Sequence, residues 1–143
     1  MEHRLVGPDV KKYITAGYAC FTVRNANTGN RFTYRVKMPR NVNKYSPNVP
    51  IRFVSVLMSH DNSSSYRYIG FTRNGEFVHG GQRAFANRDA QSVKAFGWVW
   101  NHINALPDCI EVWHEGHCGR CGRKLTVPES IASGIGPECI KRV

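Results

Sequence analysis

Residues 31–38, Arg-Phe-Thr-Tyr-Arg-Val-Lys-Met, alternate without a slip: Phe32, Tyr34, Val36 and Met38 fall on one side, Arg31, Thr33, Arg35 and Lys37 on the other. A side-chain period of two predicts a half-buried strand with an apolar inner face and a cationic outer one. Ala19–Arg24 alternates in the same way, and Asn25–Asn30 between the two runs is rich in residues that tolerate turns, so the pair reads as a β-hairpin. Residues 39–50 carry Pro39, Pro47 and Pro50 and read as a loop. Ile51–Met58 is more continuously apolar and reads as a central strand. After a turn at Asp61–Ser65, Tyr66–Thr72 supplies a fourth strand, whose alternation sets Arg67, Ile69, Phe71 and Arg73 on one face and Tyr66 and Tyr68 on the other. Asn74-Gly75 predicts a tight hairpin into a short strand, Glu76–His79.

From Asp89 the period changes. Val93, Phe96, Trp100 and Ile103 recur at helical spacing until Pro107, which predicts a helix of roughly four turns with Trp98 at its margin. Ile110–Trp113 then reads as a closing strand. Residues 1–17 read as a polar lead-in with a short turn around Tyr13-Ile14. This order predicts an α+β fold: an antiparallel sheet with one helix packed on one face. It divides into a sheet-plus-helix core, 1–108, and a closing strand with a metal-held segment, 109–143.

Charge changes the picture next. Twenty Lys and Arg against ten Asp and Glu give +10, and between Asp9 and Asp61 there is no acidic residue. A basic field confined to one region attracts polyanions. Arg24, Arg31, Arg35, Lys37, Arg40, Lys44, Arg67 and Arg73 are the candidate nucleic-acid contacts. Phe32 and Tyr34 oppose the arginines on their strand and read as core, so phosphate contact is expected rather than base stacking, with strong salt dependence.

The candidate chemistry lies in the tail, His114-Glu-Gly-His-Cys-Gly-Arg-Cys-Gly, with Cys139 eighteen positions after Cys121. A CxxC pair presents two thiolates on one tight turn, and a closed Cys₃His set is a structural zinc site. Cys118, Cys121 and Cys139 are three expected ligands, and His114 is the expected fourth. His117 and Cys109 are the alternatives, the first cramped beside Cys118, the second placed to be a packed strand residue. Thr126-Val-Pro-Glu129 has the form of a capping box opening a short helix, which Gly134 and Gly136 end. Leu125 and Ile131 are expected to form a small apolar plug, with the metal supplying most of the segment's folding energy.

His114, Gly116, Cys118, Cys121, Gly122, Arg123, Leu125, Thr126, Pro128, Ser130, Ile131, Gly134, Gly136, Pro137 and Cys139 match the pattern HxGxCGxCGRxLTxPxSIxxGIGPxC. That pattern resembles a family of uncharacterised small bacteriophage proteins with a C-terminal zinc-binding domain. Upstream segments such as Thr28–Tyr34 and Ser92–Trp98 are similar to the same proteins. The resemblance implies metal binding and a viral origin, and it implies no reaction.

Other classes lose ground. No apolar run approaches the ~20 residues of a membrane span, and the first residues lack the apolar core of a secretory signal. Five cysteines, an odd number with a CxxC, fit a reducing compartment and hence the host cytoplasm. Paired carboxylates, a phosphate-binding glycine loop and a nucleophile elbow are absent from the sequence, and His60-Asp61 reads as a turn, so no enzymatic activity and no small-molecule substrate are expected. The expectation is a non-enzymatic zinc-binding module that contacts DNA or RNA through its basic hairpin. The alternative partner is a host protein complex that the module inhibits or redirects, such as a defence nuclease or the transcription machinery.

Overall fold

A computed structural model describes residues 3–39, 51–58, 65–73 and 75–142. Seven strands form one antiparallel sheet in the order β1-β7-β2-β3-β4-β5-β6. They are β1 (Arg4–Leu5), β2 (Tyr18–Asn25), β3 (Arg31–Lys37), β4 (Arg52–Leu57), β5 (Tyr66–Arg73), β6 (Glu76–His79) and β7 (Ile110–His114). Three helices accompany them: α1 (Pro8–Ile14), α2 (Gln91–Asn101) and α3 (Pro128–Ser133). The architecture is the expected α+β one. The strand expected to close the sheet, β7, inserts instead between β1 and β2.

The alternation read in the sequence decides which face is buried. Ala19, Phe21 and Val23 of β2, Tyr34 and Val36 of β3, and Val54 and Val56 of β4 are all buried and stand in register with one another. α2 covers them with Val93, Phe96, Val99 and Trp100. The Phe96 ring meets Tyr34 at 5.2 Å and Phe77 at 4.9 Å, both edge-on, the arrangement that sets a positive ring edge against a negative face. Two polar atoms pin the helix: the Tyr34 hydroxyl donates to the Ser92 carbonyl at 2.6 Å, and the Trp100 indole N–H to the Gly75 carbonyl at 3.0 Å. α2 is shorter than expected, with Asn101 its last residue, so Ile103 packs from the turn that follows.

The lead-in holds more structure than the sequence reading gave it. β1 pairs with β7, and α1 buries Val10, Tyr13 and Ile14 against the same core. Its signals were Pro8 in the first turn, where a missing N–H costs nothing, and apolar residues at the i, i+3, i+4 spacing.

One irregularity redistributes the other face. The β4–β5 register shifts between Val54 and Ser55, so that Ser55 stands opposite Tyr68 while Val54 stands opposite Gly70. Ile69 is the extra residue, and such a bulge reverses the alternation beyond it. Phe71, opposite Phe53, therefore joins Tyr66 and Tyr68 on the face away from α2, contrary to simple alternation. Arg67 pairs with buried Val56 and points to the α2 side, where its guanidinium lies 6.0 Å from the Phe85 ring.

No described helix is long and apolar enough to cross a membrane.

Candidate metal centre and the open sheet face

The C-terminal segment is built on a knuckle. Gly116 and Gly122 have φ of 85° and 80°, and Gly122 N–H donates to the Cys118 carbonyl, closing the turn that carries both CxxC sulfurs. α3 then runs from Pro128 to Ser133 and stops at Gly134, whose φ of 76° is a left-handed cap. The expected capping box does not form: Val127 is the N-cap and no side chain caps the helix, so Thr126 and Glu129 do not act as a pair. Pro128 in the first turn and Gly134 at the end set the limits instead. Leu125 and Ile135 are buried beneath the segment, while Ile131 is only half-buried.

These turns bring Cys118, Cys121 and Cys139 together, with their three sulfurs within 4.8 Å of one another. Cys118 is buried, Cys139 half-buried and Cys121 exposed. The backbone around Cys118 is arranged for a thiolate. Burial pushes its pKa up, but amide hydrogen bonds from Gly136, Cys121 and Arg120, with help from the Cys121 side chain, outweigh that and bring it down to about 7. Gly136 N–H lies 3.2 Å from its sulfur and Arg120 N–H 3.4 Å. Cys139 is pushed the other way, by burial first and then by the neighbouring sulfurs. A thiol poised to ionise near neutral pH, flanked by two further thiols, fits a soft-ligand metal ion, so these residues could hold one.

None of the three candidates for a fourth ligand joins the group. His114 is buried in β7 with both ring nitrogens engaged: Gly116 N–H donates to Nδ1 at 2.9 Å, and Nε2 donates to the Ile131 carbonyl. Its ring stacks on His3 at 4.7 Å and tilts against Tyr13 at 5.6 Å. Burial, opposed by the Ile131 bond and reinforced by His3, lowers its pKa, so the neutral ring is favoured. His114, expected as the fourth ligand, stands here as a core histidine tying β7 to α3, outside the group of three sulfurs. His117 bridges to Lys124 and lines a different cleft beside Tyr18 and Cys20. Cys109 lies at the far end of β7, in an apolar groove of about 490 Å³ with Val23, Trp98 and Ile110. Among the described residues, no further His, Cys or carboxylate completes the group.

A cleft of about 500 Å³ opens over the three sulfurs, with Arg120, Arg123, Lys124 and Arg142 among its walls.

The knuckle docks on the sheet through Tyr13 and Tyr18. Tyr18 N–H donates to the Gly119 carbonyl at 2.6 Å, and Gly119 N–H to the Gly134 carbonyl at 2.8 Å. The Tyr13 ring lies so close to Gly119 that a Cβ there would approach it to 2.5 Å.

The candidate nucleic-acid residues divide. Arg24, Arg31, Arg35 and Lys37 stand on the sheet face away from α2, in register with half-exposed or exposed neighbours, and Arg73 joins them at the β5–β6 end. Arg67 does not, because it points to the α2 side. Arg40 and Lys44 lie outside the described residues. Arg24 is ion-paired with Glu111 at 3.2 Å, and the Trp113 indole N–H, then Arg24, hold that carboxyl below its usual pKa against the upward push of burial. Two of the other cations lie over rings, Arg35 over Tyr66 at 4.6 Å and Lys37 over Tyr18 at 5.6 Å. The same face carries Trp113, Phe53, Tyr68 and Phe71, all half-buried. Of these, Phe71 reaches the common face only through the bulge at Ile69, which simple alternation does not show.

Fold and site together define an α+β protein with a C-terminal three-cysteine cluster able to hold a metal ion. Residues 111–143 match a family of unknown function, DUF6011, a stretch that includes most of β7 and all three clustered cysteines. No curated protein and no solved structure matches the chain.

Proposed function

We propose that this protein is a non-enzymatic, phage-derived zinc-binding module that contacts single-stranded nucleic acid across the face of its sheet opposite α2. The observation that carries the reading is the juxtaposition on that face of Arg31, Arg35 and Lys37 with Tyr18, Tyr66, Tyr68 and Phe71. Arg35 and Lys37, on alternate residues of one strand, stand about 7 Å apart, and half-exposed rings on the same face supply stacking surfaces that accept any base. Phosphate contacts would give affinity, and the rings would favour unpaired strands over duplex.

Zinc suits the three thiolates better than the harder divalent ions do. Cys118, Cys121 and Cys139 would hold it, and the ion would fix the knuckle against Tyr13 and Tyr18. Arg120, Arg123 and Lys124 around the cluster would extend the cationic surface. The resemblance to small phage proteins supports a viral origin and action in the host cytoplasm.

The test is a titration of fluorescent single-stranded and duplex oligonucleotides at several salt concentrations. Tighter binding to single strands that weakens steeply with salt is expected. Capture of a host protein complex from nuclease-treated lysate, with no oligonucleotide binding, would replace this reading with a protein-docking one.

A further inference from the structure

At one end of the open face, where the knuckle meets β2, lies a cleft of about 280 Å³ unlike the rest of the surface. Its walls include Tyr18, Cys20, Arg35, Tyr66, Glu115 and His117. Cys20 and Arg35 are cross-strand partners, and the Arg35 guanidinium carbon stands over the Tyr66 ring, 4.6 Å from its centroid. The Tyr66 hydroxyl and the Cys20 thiol line the cleft together, and burial, the largest cause for each, pushes both pKa values further up, so both stay protonated at neutral pH. They form a neutral floor. Above it stand two opposite charges, Glu115 and Arg35, neither of which makes an ion pair among the described residues.

A site with a carboxylate acceptor, a planar guanidinium donor and aromatic walls selects a flat ligand with donors on one edge and acceptors on another. Of the nucleobases, guanine meets this most fully. Its Watson–Crick edge offers adjacent N–H donors to a carboxylate, and its O6 and N7 form the acceptor pair that arginine reads with two hydrogen bonds. Bases splayed from a single strand expose both edges. The cleft also continues the row of cations, since Arg35 belongs to both.

We propose that this cleft is a base-reading subsite that takes one guanine from the strand bound along the sheet, with Glu115 and Arg35 as its selective contacts. This rests on the single-strand reading above and adds a sequence preference to it.

The experiment compares thymine-run oligonucleotides carrying one central G, A or C, as DNA and as RNA, at fixed salt. Guanine should bind about tenfold more tightly than the others, within the range of one good two-bond base contact. Glu115→Gln, at an exposed position, should abolish that preference while leaving thymine-run affinity, salt slope, metal content and melting temperature unchanged. Arg35→Lys, which keeps the charge but not the fork, should do the same to the preference. Equal affinity for the three bases, or preference for cytosine, would overturn the subsite and leave the open-face reading standing. A guanine preference that survives both substitutions would place it elsewhere and overturn the assignment. Failure to bind any oligonucleotide would remove both readings.

Discussion

The hydroxyl of Tyr13 holds both main-chain polar groups of Cys20: it donates to the Cys20 carbonyl at 2.8 Å and accepts from its N–H at 3.2 Å. β7 pairs with β2 only from His114, opposite Phe21, so at Cys20 the ladder has lost its partner strand. The phenol replaces that strand at the point where the chain leaves the sheet for the metal-binding knuckle. Burial raises its pKa, so it remains a donor at any physiological pH.

Tyr13→Phe should therefore cost about 1–3 kcal/mol, the range for leaving buried polar groups unpaired. The ring stays against Gly119 and Gly134, so packing is kept and only the two hydrogen bonds are lost. Thermal or urea unfolding of the metal-loaded protein measures the loss, and a melting temperature equal to that of the unchanged protein would refute the role.

Ligand assignment separates the cysteines from His114. Cys121→Ser and Cys139→Ser should each remove the bound metal and loosen residues 115–142, while far-ultraviolet circular dichroism still reports the sheet. His114→Gln should keep a full equivalent of metal at micromolar protein but lower stability by about 1–3 kcal/mol, because a buried hydrogen-bonded side chain is disturbed. Elemental analysis decides: metal lost from the His114 variant alone would restore the histidine to the ligand set.

The pH dependence follows from the same residue. His114 has a lowered pKa in the folded protein, so the unfolded chain takes up its proton first as pH falls. Its contribution is fully present above the unfolded value, about 6.5, and declines below that until the folded pKa is reached. Metal-free protein should thus lose melting temperature between pH 7 and pH 5.5, and His114→Gln should flatten that slope. Metal-free samples are needed because protonation of the thiols weakens metal binding over an overlapping range.

On the open face, Arg31→Ala combined with Arg35→Ala should weaken single-strand binding and reduce the slope of log K against log salt by about 1.4, at ~0.7 per phosphate contact. Melting temperature should not fall, since Arg31 is exposed and Arg35 half-exposed. Arg67→Ala is the control for the single Arg31→Ala: it removes one charge, as that variant does, but from the other face, and should leave affinity nearly unchanged. Equal losses from both would mean that net charge alone drives binding.

Stacking is tested at Phe71. Phe71→Leu keeps the β-bulge and the apolar volume but removes the aromatic face, and should cost up to about 1–3 kcal/mol of single-strand affinity if a base rests there. Anisotropy titrations against a thymine run provide the measurement.

Periodicity alone determined the segments of β2 to β7, the long helix and the inward face of the β2–β3 hairpin, because alternation and helical spacing are local and survive without knowledge of partners. The cysteine trio was equally legible, since a CxxC turn fixes two sulfurs by itself and the tail's glycines return the third. Tertiary structure decided the rest. His114 stands four residues before Cys118 and looks like a ligand in the sequence, yet strand pairing with Phe21 turns it into the core, where Gly116 and Ile131 take both nitrogens. A bulge at Ile69 moved Phe71 to the open face and left Arg67 on the other, an exchange that no alternation count reveals because it depends on β4 as partner. The cleft of Arg35, Tyr66 and Glu115 gathers residues up to 80 positions apart, and only the folded chain brings those charges to one place.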